Sequence, residues 1–163
     1  MKKETIWIGN DHGGYELKLK IVDKLKELGH DVHDVGSHST DIVRYPYYAS
    51  RVALAVSRGE AARGVLICST GIGMSILANR YRAVRASLCT STVMGRLTRA
   101  HNDSNILCLG GKIVGEFEAL DILEAWLTTE YMGGRHDISL GLILEAESAI
   151  AKTGAWEPAG PER

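Results

Sequence analysis

The sequence predicts an α/β domain: five parallel strands in one sheet, with helices covering both faces. Three observations carry this. Short apolar runs alternate five times with segments of helical periodicity. The runs are apolar at successive positions instead of every second one, as strands buried on both faces are. Glycines cluster in the short breaks at element ends, not in a linker. A chain of 163 residues suits one domain, which at this size buries roughly 70% of the surface its unfolded form exposes and needs no metal or disulfide to fold.

The first strand covers 5–9 and is broken by Asp11-His12-Gly13-Gly14. Leu17, Ile21, Leu25 and Leu28 then recur at helical spacing, with Gly29 as the stop. A shorter second strand covers 31–35. A polar loop over 36–44 leads to Tyr45-Pro46, where proline opens a helix over 47–57 because a first-turn N–H is not needed. The third strand, 64–68, runs into Ser69-Thr70-Gly71-Ile72-Gly73 and a helix ending near Asn79. The fourth covers 84–88. Thr90 or Ser91 caps the next helix, which ends near His101, by accepting a free first-turn N–H. The fifth strand covers 105–109, and the helix after Gly115 is expected to bury Leu120, Leu123 and Leu127.

After Gly133-Gly134 the pattern changes. A helix over 134–152 carries Leu140, Leu142, Ile143, Leu144, Ala146 and Ile150 around most of its circumference. Such a helix needs a cover, either its own domain or a partner subunit. The expected organisation is thus one domain over 1–152 and a tail, 153–163, that lacks periodicity and frays.

Nineteen basic and 20 acidic residues leave a formal charge of -1, which offers no field for nucleic acid or an anionic membrane surface. No apolar run reaches 18 residues and no charged leader precedes an apolar core, so neither a membrane span nor a signal peptide is expected. Cys68, Cys89 and Cys108 are odd in number, lack CxxC spacing and sit in or beside apolar runs. They read as reduced thiols of a cytoplasmic protein.

Ligands of open parallel sheets bind beyond the C-terminal strand ends. Asp11-His12 follows the first strand and Cys68–Gly73 the third. His101-Asn102-Asp103 precedes the fifth, at the opposite edge, unless another subunit or an irregular turn brings His101 in. The loop Cys68-Ser69-Thr70-Gly71-Ile72-Gly73 carries the strongest signal. Its small residues admit close backbone approach, and the helix start leaves N–H groups free to hold a phosphate or an enediolate oxygen. Cys68 at its lip is either a base favoured by that N–H field or a buried strand-end cysteine beside a tight turn.

The first loop is no dinucleotide fingerprint, and no Walker Lys-Ser/Thr follows either glycine cluster. His12 is an ordinary loop histidine or one whose tautomer Asp11 fixes. His101 and His136 stay open individually. Arg135, after two glycines, is an anion clamp or a solvated surface arginine. His101, Asp103 and Cys108 make no four-ligand zinc pattern, and no cofactor or metal is expected.

Six local marks occur in one order: Asp11-His12-Gly13, Tyr45-Pro46, Cys68 to Gly73, Ala78-Asn79, His101-Asn102-Asp103-Ser104-Asn105 and Gly133-Gly134-Arg135-His136. On these the chain resembles the type B ribose-5-phosphate isomerases, whose relatives include the paired subunits of galactose-6-phosphate isomerase. The resemblance covers most of the chain to about Gly134. It implies a Rossmann-like three-layer α/β/α sandwich, a homodimer (with a dimer of dimers open) and active sites shared between subunits. The implied reaction is cofactor-free conversion of ribose 5-phosphate to ribulose 5-phosphate. Under the resemblance Cys68 is the base between C1 and C2, and Thr70 and His101 open the furanose ring. The N–H groups of Ser69, Gly71, Ile72 and Gly73 hold the enediolate, with contacts from Asn102. Asp11 and Tyr45 hold hydroxyls, and His12, Arg135 and His136 face the phosphate. Under the resemblance His12 and Arg135 reach the phosphate from different subunits, and His101 belongs to the composite site.

Three departures from the family pattern stand out. Ser69 replaces a common glycine, Arg44 replaces a frequent acidic residue, and Ser139 replaces an arginine found in many members. Losing that arginine raises two alternatives: Arg44 or Lys112 substitutes for it, or the sugar differs. A non-catalytic sugar-phosphate-binding protein is the rival outside enzymology.

Overall fold

The structure, a computed structural model, describes residues 4–158 and 160. Its strands are β1 (Thr5–Asn10), β2 (Asp31–Asp34), β3 (Arg63–Cys68), β4 (Ala86–Leu88) and β5 (Ile106–Gly110). Its helices are α1 (Tyr15–Glu27), α2 (Tyr45–Ser57), α3 (Ile72–Ala78), α4 (Thr92–Asn102), α5 (Glu116–Thr128) and α6 (Arg135–Thr153), with a 3-10 turn over His12–Gly14. All strand pairs are parallel, in the order β2-β1-β3-β5-β4. The expected α/β fold with a five-stranded parallel sheet is therefore observed.

Alternation along the central strands builds the layers. Ile6, Ile8, Val65, Ile67, Leu107 and Leu109 share one core cluster with Ile21 and Leu25 of α1 and Ile122, Leu123 and Trp126 of α5. Leu66, Cys68, Ile106 and Cys108 belong to the other, with Val52 and Ala53 of α2 and Met74 and Ala78 of α3. Each fully buried Ile or Leu contributes about 1.5–3 kcal/mol. Of the five strands expected to be apolar on both faces, β1, β3 and β5 are so. The edge strands β2 and β4 are half-buried or exposed throughout, because each has a neighbour on one side only.

Several boundaries shift for identifiable reasons. α2 starts at Tyr45, with Pro46 in its first turn. Ser91, not Thr90, caps α4, its hydroxyl accepting the Met94 N–H at 3.3 Å. β4 starts at Ala86 instead of Val84, since the chain turns at Ala83, φ 60, and the Asn105 side chain accepts the Arg85 N–H at 2.8 Å. In α5 Leu120 is only half-buried and Trp126 is the largest buried side chain. Lys18 of α1, 1% exposed, donates to Asp34 Oδ2 at 2.8 Å and to the Ser37 carbonyl at 2.9 Å. It ties the loop after β2 to α1, and removing one partner would strand a buried charge.

The described residues divide into two compact units between Tyr131 and Met132. In the second, α6 has no buried residue, and Leu142, Ile143, Leu144 and Ile150 are 44–55% exposed. Gly154 ends the helix at φ 81. Beyond it, the Trp156 indole N–H donates to Glu145 Oε1 at 3.2 Å. Of the tail expected to fray, Thr153 belongs to the helix, and 159 and 161–163 lie outside the described residues.

Candidate active site

The strand order reverses at β1: β2 lies on one side of it and β3, β5 and β4 on the other. A parallel sheet opens a crevice at such a point, beyond the carboxyl ends of the strands. Asp11 follows β1 there and Cys68 ends β3.

The two loops are fastened to each other by backbone. The Asp11 N–H donates to the Ile67 carbonyl at 3.2 Å. The Asp11 carboxylate, 6% exposed, accepts the Gly13 N–H at 2.9 Å and so is fixed at the head of the 3-10 turn. A Cβ on Gly13 would stand 2.1 Å from Ser69 Oγ, so the Ser69 side chain packs directly against that glycine. His12 Nδ1 lies 3.2 Å from the Val43 carbonyl oxygen and 3.3 Å from its nitrogen. The tautomer selects which bond forms, and neither uses Nε2.

Cys68 is 5% exposed, and its Sγ accepts the Gly71 N–H at 3.1 Å. The loop makes this bond by turning through Gly71 at φ 76, a left-handed conformation next to Leu88 and the Leu109 backbone where a Cβ does not fit. Thr70 Oγ1 accepts the Ile72 N–H at 3.3 Å. Gly73, in the first turn of α3, faces the Tyr45 ring, so a Cβ there would sit 2.7 Å from the ring carbon bearing the hydroxyl. Tyr45 and the 68–73 loop thus meet. Arg44, exposed, is the N-cap of α2 beside Tyr45.

Sequence reading missed the third loop of this edge. Gly111 N–H donates to the Cys68 carbonyl at 2.8 Å and Lys112 N–H to the Ser69 carbonyl at 3.0 Å. The signal was available: Gly110-Gly111 directly follows the fifth apolar run.

The other candidates belong to other elements. His101 and Asn102 form the last turn of α4, and the turn that follows is bonded to residues leading into β4 and β5: Arg85 Nε donates to the Asn102 carbonyl at 3.1 Å. They occupy the amino edge of the sheet, separated from Cys68 by the length of β5, roughly 16 Å at about 3.3 Å per residue. The bottom-up expectation that this group sits away from the crevice of its own chain is met. Arg135, exposed, and His136, half-buried, open α6 in the second unit, where the His136 N–H donates to the Gly133 carbonyl at 3.2 Å. Ser139 is exposed on the same helix.

All three cysteines are free and buried. Burial pushes the Cys89 thiol up to about 11, and pushes Cys108 well above its ordinary value, with Cys68 and Cys89 adding repulsion. Neither is equipped to act as a thiolate. Among the described residues, no three His, Cys, Asp or Glu side chains cluster as a metal site requires.

The site thus places a buried thiol that accepts a backbone N–H at the switch point of a parallel sheet. The sequence pattern described as Ribose/Galactose Isomerase matches residues 6–143. Ribose-5-phosphate isomerase B of Escherichia coli (strain K12) is 48% identical over 136 residues, covering 83% of this chain and 90% of the relative. Ribose-5-phosphate isomerase B of Clostridium thermocellum superposes with a TM-score of 0.87 at 49% identity, over 88% of this chain and 97% of that one. The Mycoplasma genitalium isomerase B, solved with bound ribulose 5-phosphate, superposes at 0.85 with 34% identity, over 88% and 96%. The chain belongs to the ribose/galactose isomerase family.

Proposed function

We propose that the protein interconverts ribose 5-phosphate and ribulose 5-phosphate by proton transfer through an enediolate, without a cofactor. The observation that carries this is the Cys68 Sγ held by the Gly71 N–H at 3.1 Å, a base and a charge sink inside one turn of chain.

Ring opening comes first. His101 of a second subunit gives a proton to the ring oxygen while the Thr70 hydroxyl relays the C1 hydroxyl proton to solvent, from which His101 is reprotonated; the C1–O4 bond breaks and an aldehyde forms. Cys68 thiolate then takes the C2 proton. The C–H pair becomes the C1=C2 bond, and the carbonyl pair moves to O1, which faces the N–H groups of Ser69 to Gly73. Transfer of the O2 proton to O1 restores a carbonyl at C2, and Cys68 returns its proton to C1. Nothing is oxidised overall, and each proton has a donor and an acceptor. Asp11 and Tyr45 hold hydroxyls, Asn102 contacts the enediolate, and His12, Arg135 and His136 meet the phosphate.

Two features support a homodimer. His101 lies at the opposite sheet edge from the Cys68 of its own chain, and α6 is apolar without a buried residue. Sharing sites between subunits uses both. No helix among the described residues is long and apolar enough to cross a membrane.

Ser139 favours a second reading of the substrate, a tetrose or hexose phosphate or an unphosphorylated aldose, because an arginine–phosphate bond set is among the stronger polar contacts. Lys112, exposed and backbone-bonded to Ser69, is the cation best situated to compensate.

The test is kcat/KM on ribose 5-phosphate with metal-free protein and no added cofactor. A value of about 10⁴ M⁻¹s⁻¹ or above is expected. Cys68→Ala should lower kcat by about 10³-fold, and mixing it with His101→Asn should restore part of the activity through hybrid dimers. Full turnover by Cys68→Ala would remove the base from the mechanism. Weak turnover by folded wild type would move the substrate to another sugar.

A further inference from the structure

Two residues other than glycine have left-handed backbones among the described residues, Ala83 at φ 60 and Asp103 at φ 45. Both sit in turns that lead into neighbouring strands, β4 and β5, and both are tied into one network. Asn105 Oδ1 accepts the Arg85 N–H at 2.8 Å, and its Nδ2 donates to the Ala83 carbonyl at 2.8 Å. Arg85 donates from Nε to the carbonyls of Asn102 at 3.1 Å and Asp103 at 2.9 Å, and from its terminal nitrogen to Asp103 Oδ2 at 2.7 Å. Arg99 takes the other carboxylate oxygen, Oδ1, at 2.8 Å and the Ser104 carbonyl at 2.6 Å. From below, the Trp126 indole donates to Ser104 Oγ at 2.7 Å.

Ending α4 requires none of this. The Asp103 N–H to the Arg99 carbonyl and the Ser104 N–H to the Thr98 carbonyl already close the helix. A glycine at 103 would take the left-handed turn without strain. An aspartate there costs stability, and strained side chains persist where surrounding bonds over-determine them. Here two guanidinium forks grip one carboxylate, and the residues they fix lie immediately before it: His101 and Asn102.

Resting on the isomerase reading above, the geometry points to the Arg85–Asp103–Arg99 clamp as a positioning device. It sets His101 and Asn102 at the angle at which α4 presents them to the site of a second subunit. Asp103 touches no substrate; it acts through the helix end.

Ring opening and enolisation can be separated, because ribulose 5-phosphate has no furanose to open. Asp103→Gly keeps the turn and removes the clamp. Its kcat on ribose 5-phosphate should fall at least tenfold with KM within about threefold. Exchange of the C1 proton of ribulose 5-phosphate with solvent, which needs Cys68, its loop and the Asn102 contact but not His101, should fall by clearly less than that isomerisation does. Asp103→Asn, which tolerates the left-handed turn and keeps one acceptor, should recover part of the loss. Arg85→Lys carries the same test should Asp103→Gly fail to fold. Equal losses in both reactions, or no loss in either, would overturn the proposal. Failure of the isomerase reading looks different: wild type itself would show neither turnover nor exchange, and the clamp's role would fall with it.

Discussion

The two edges of the sheet are built from opposite materials. At the carboxyl edge, three loops approach so closely that Gly13, Gly71, Gly73 and Gly111 leave no room for a Cβ. The bonds between loops are backbone to backbone: Asp11 to Ile67, Gly111 to Cys68 and Lys112 to Ser69. At the amino edge, the turn after α4 is gripped by arginines and a carboxylate. A surface that receives an anion keeps its N–H groups bare and its side chains out of the way. A surface that presents side chains to another molecule holds them with other side chains. Charge serves the second task, whereas at the first the one carboxylate described, Asp11, is held against the Gly13 N–H.

Breaking the carboxyl edge should have the largest effect. Gly71→Ala forces a Cβ to 2.5 Å from Leu88 Cδ1 and 2.9 Å from the Leu109 backbone, at a φ of 76. It should lower kcat about 100-fold through loss of an enediolate donor and lower stability by about 1–3 kcal/mol. Wild-type turnover in this variant would exclude the Gly71 turn from catalysis. Gly73→Ala pushes on the Tyr45 ring, not on the base. A KM increase of about tenfold with kcat nearly unchanged is the signature of a lost binding contact, and a change confined to kcat would count against Tyr45 as a hydroxyl ligand.

The smallest effect concerns two buried cysteines, Cys108 inside β5 and Cys89 just beyond β4. Cys89 holds its proton to about pH 11 and Cys108 holds its proton well beyond the ordinary range, while cysteines of the unfolded chain ionise near pH 8.5. Between those limits the folded state binds more protons than the unfolded one, so stability falls as pH rises from about 9 toward 11. Urea midpoints at pH 8 and pH 10 should separate by less in Cys89→Ala than in wild type, and equal separations would sink this account.

The same division explains what the sequence made legible. Strand positions, the helix faces of Leu17, Ile21 and Leu25, and the Cys68–Gly73 turn all follow from periodicity or from residues that only certain backbones admit. Gly110-Gly111 carried the same kind of signal. The clamp on Asp103 did not, since Arg85 and Asp103 are 18 residues apart and each by itself looks like a solvated surface charge. Lys18 misleads in the same manner: helical spacing puts it beside Leu17 and Ile21, yet its charge argues for solvent until Asp34 and the Ser37 carbonyl are seen to meet it. Trp126 escaped because Leu120, Leu123 and Leu127 drew the apolar stripe slightly to one side of the true face. The roles assigned to His101 and His136 are implied by the resemblance alone, and for Arg135 the residues themselves left anion clamp and surface charge both open.

Trp126 also makes the molecule its own optical instrument. Its ring is buried, the Arg63 guanidinium lies 5.3 Å from its centre, and its N–H is bonded to Ser104, one residue beyond the clamp. An indole so enclosed emits toward the blue and senses the charges around it. Trp156, bonded to Glu145 in the second unit, and Trp7, stacked on His33 at 4.0 Å, sit in quite different surroundings. Fluorescence of the unlabelled protein therefore carries a channel for the turn after α4, readable while substrate is being turned over.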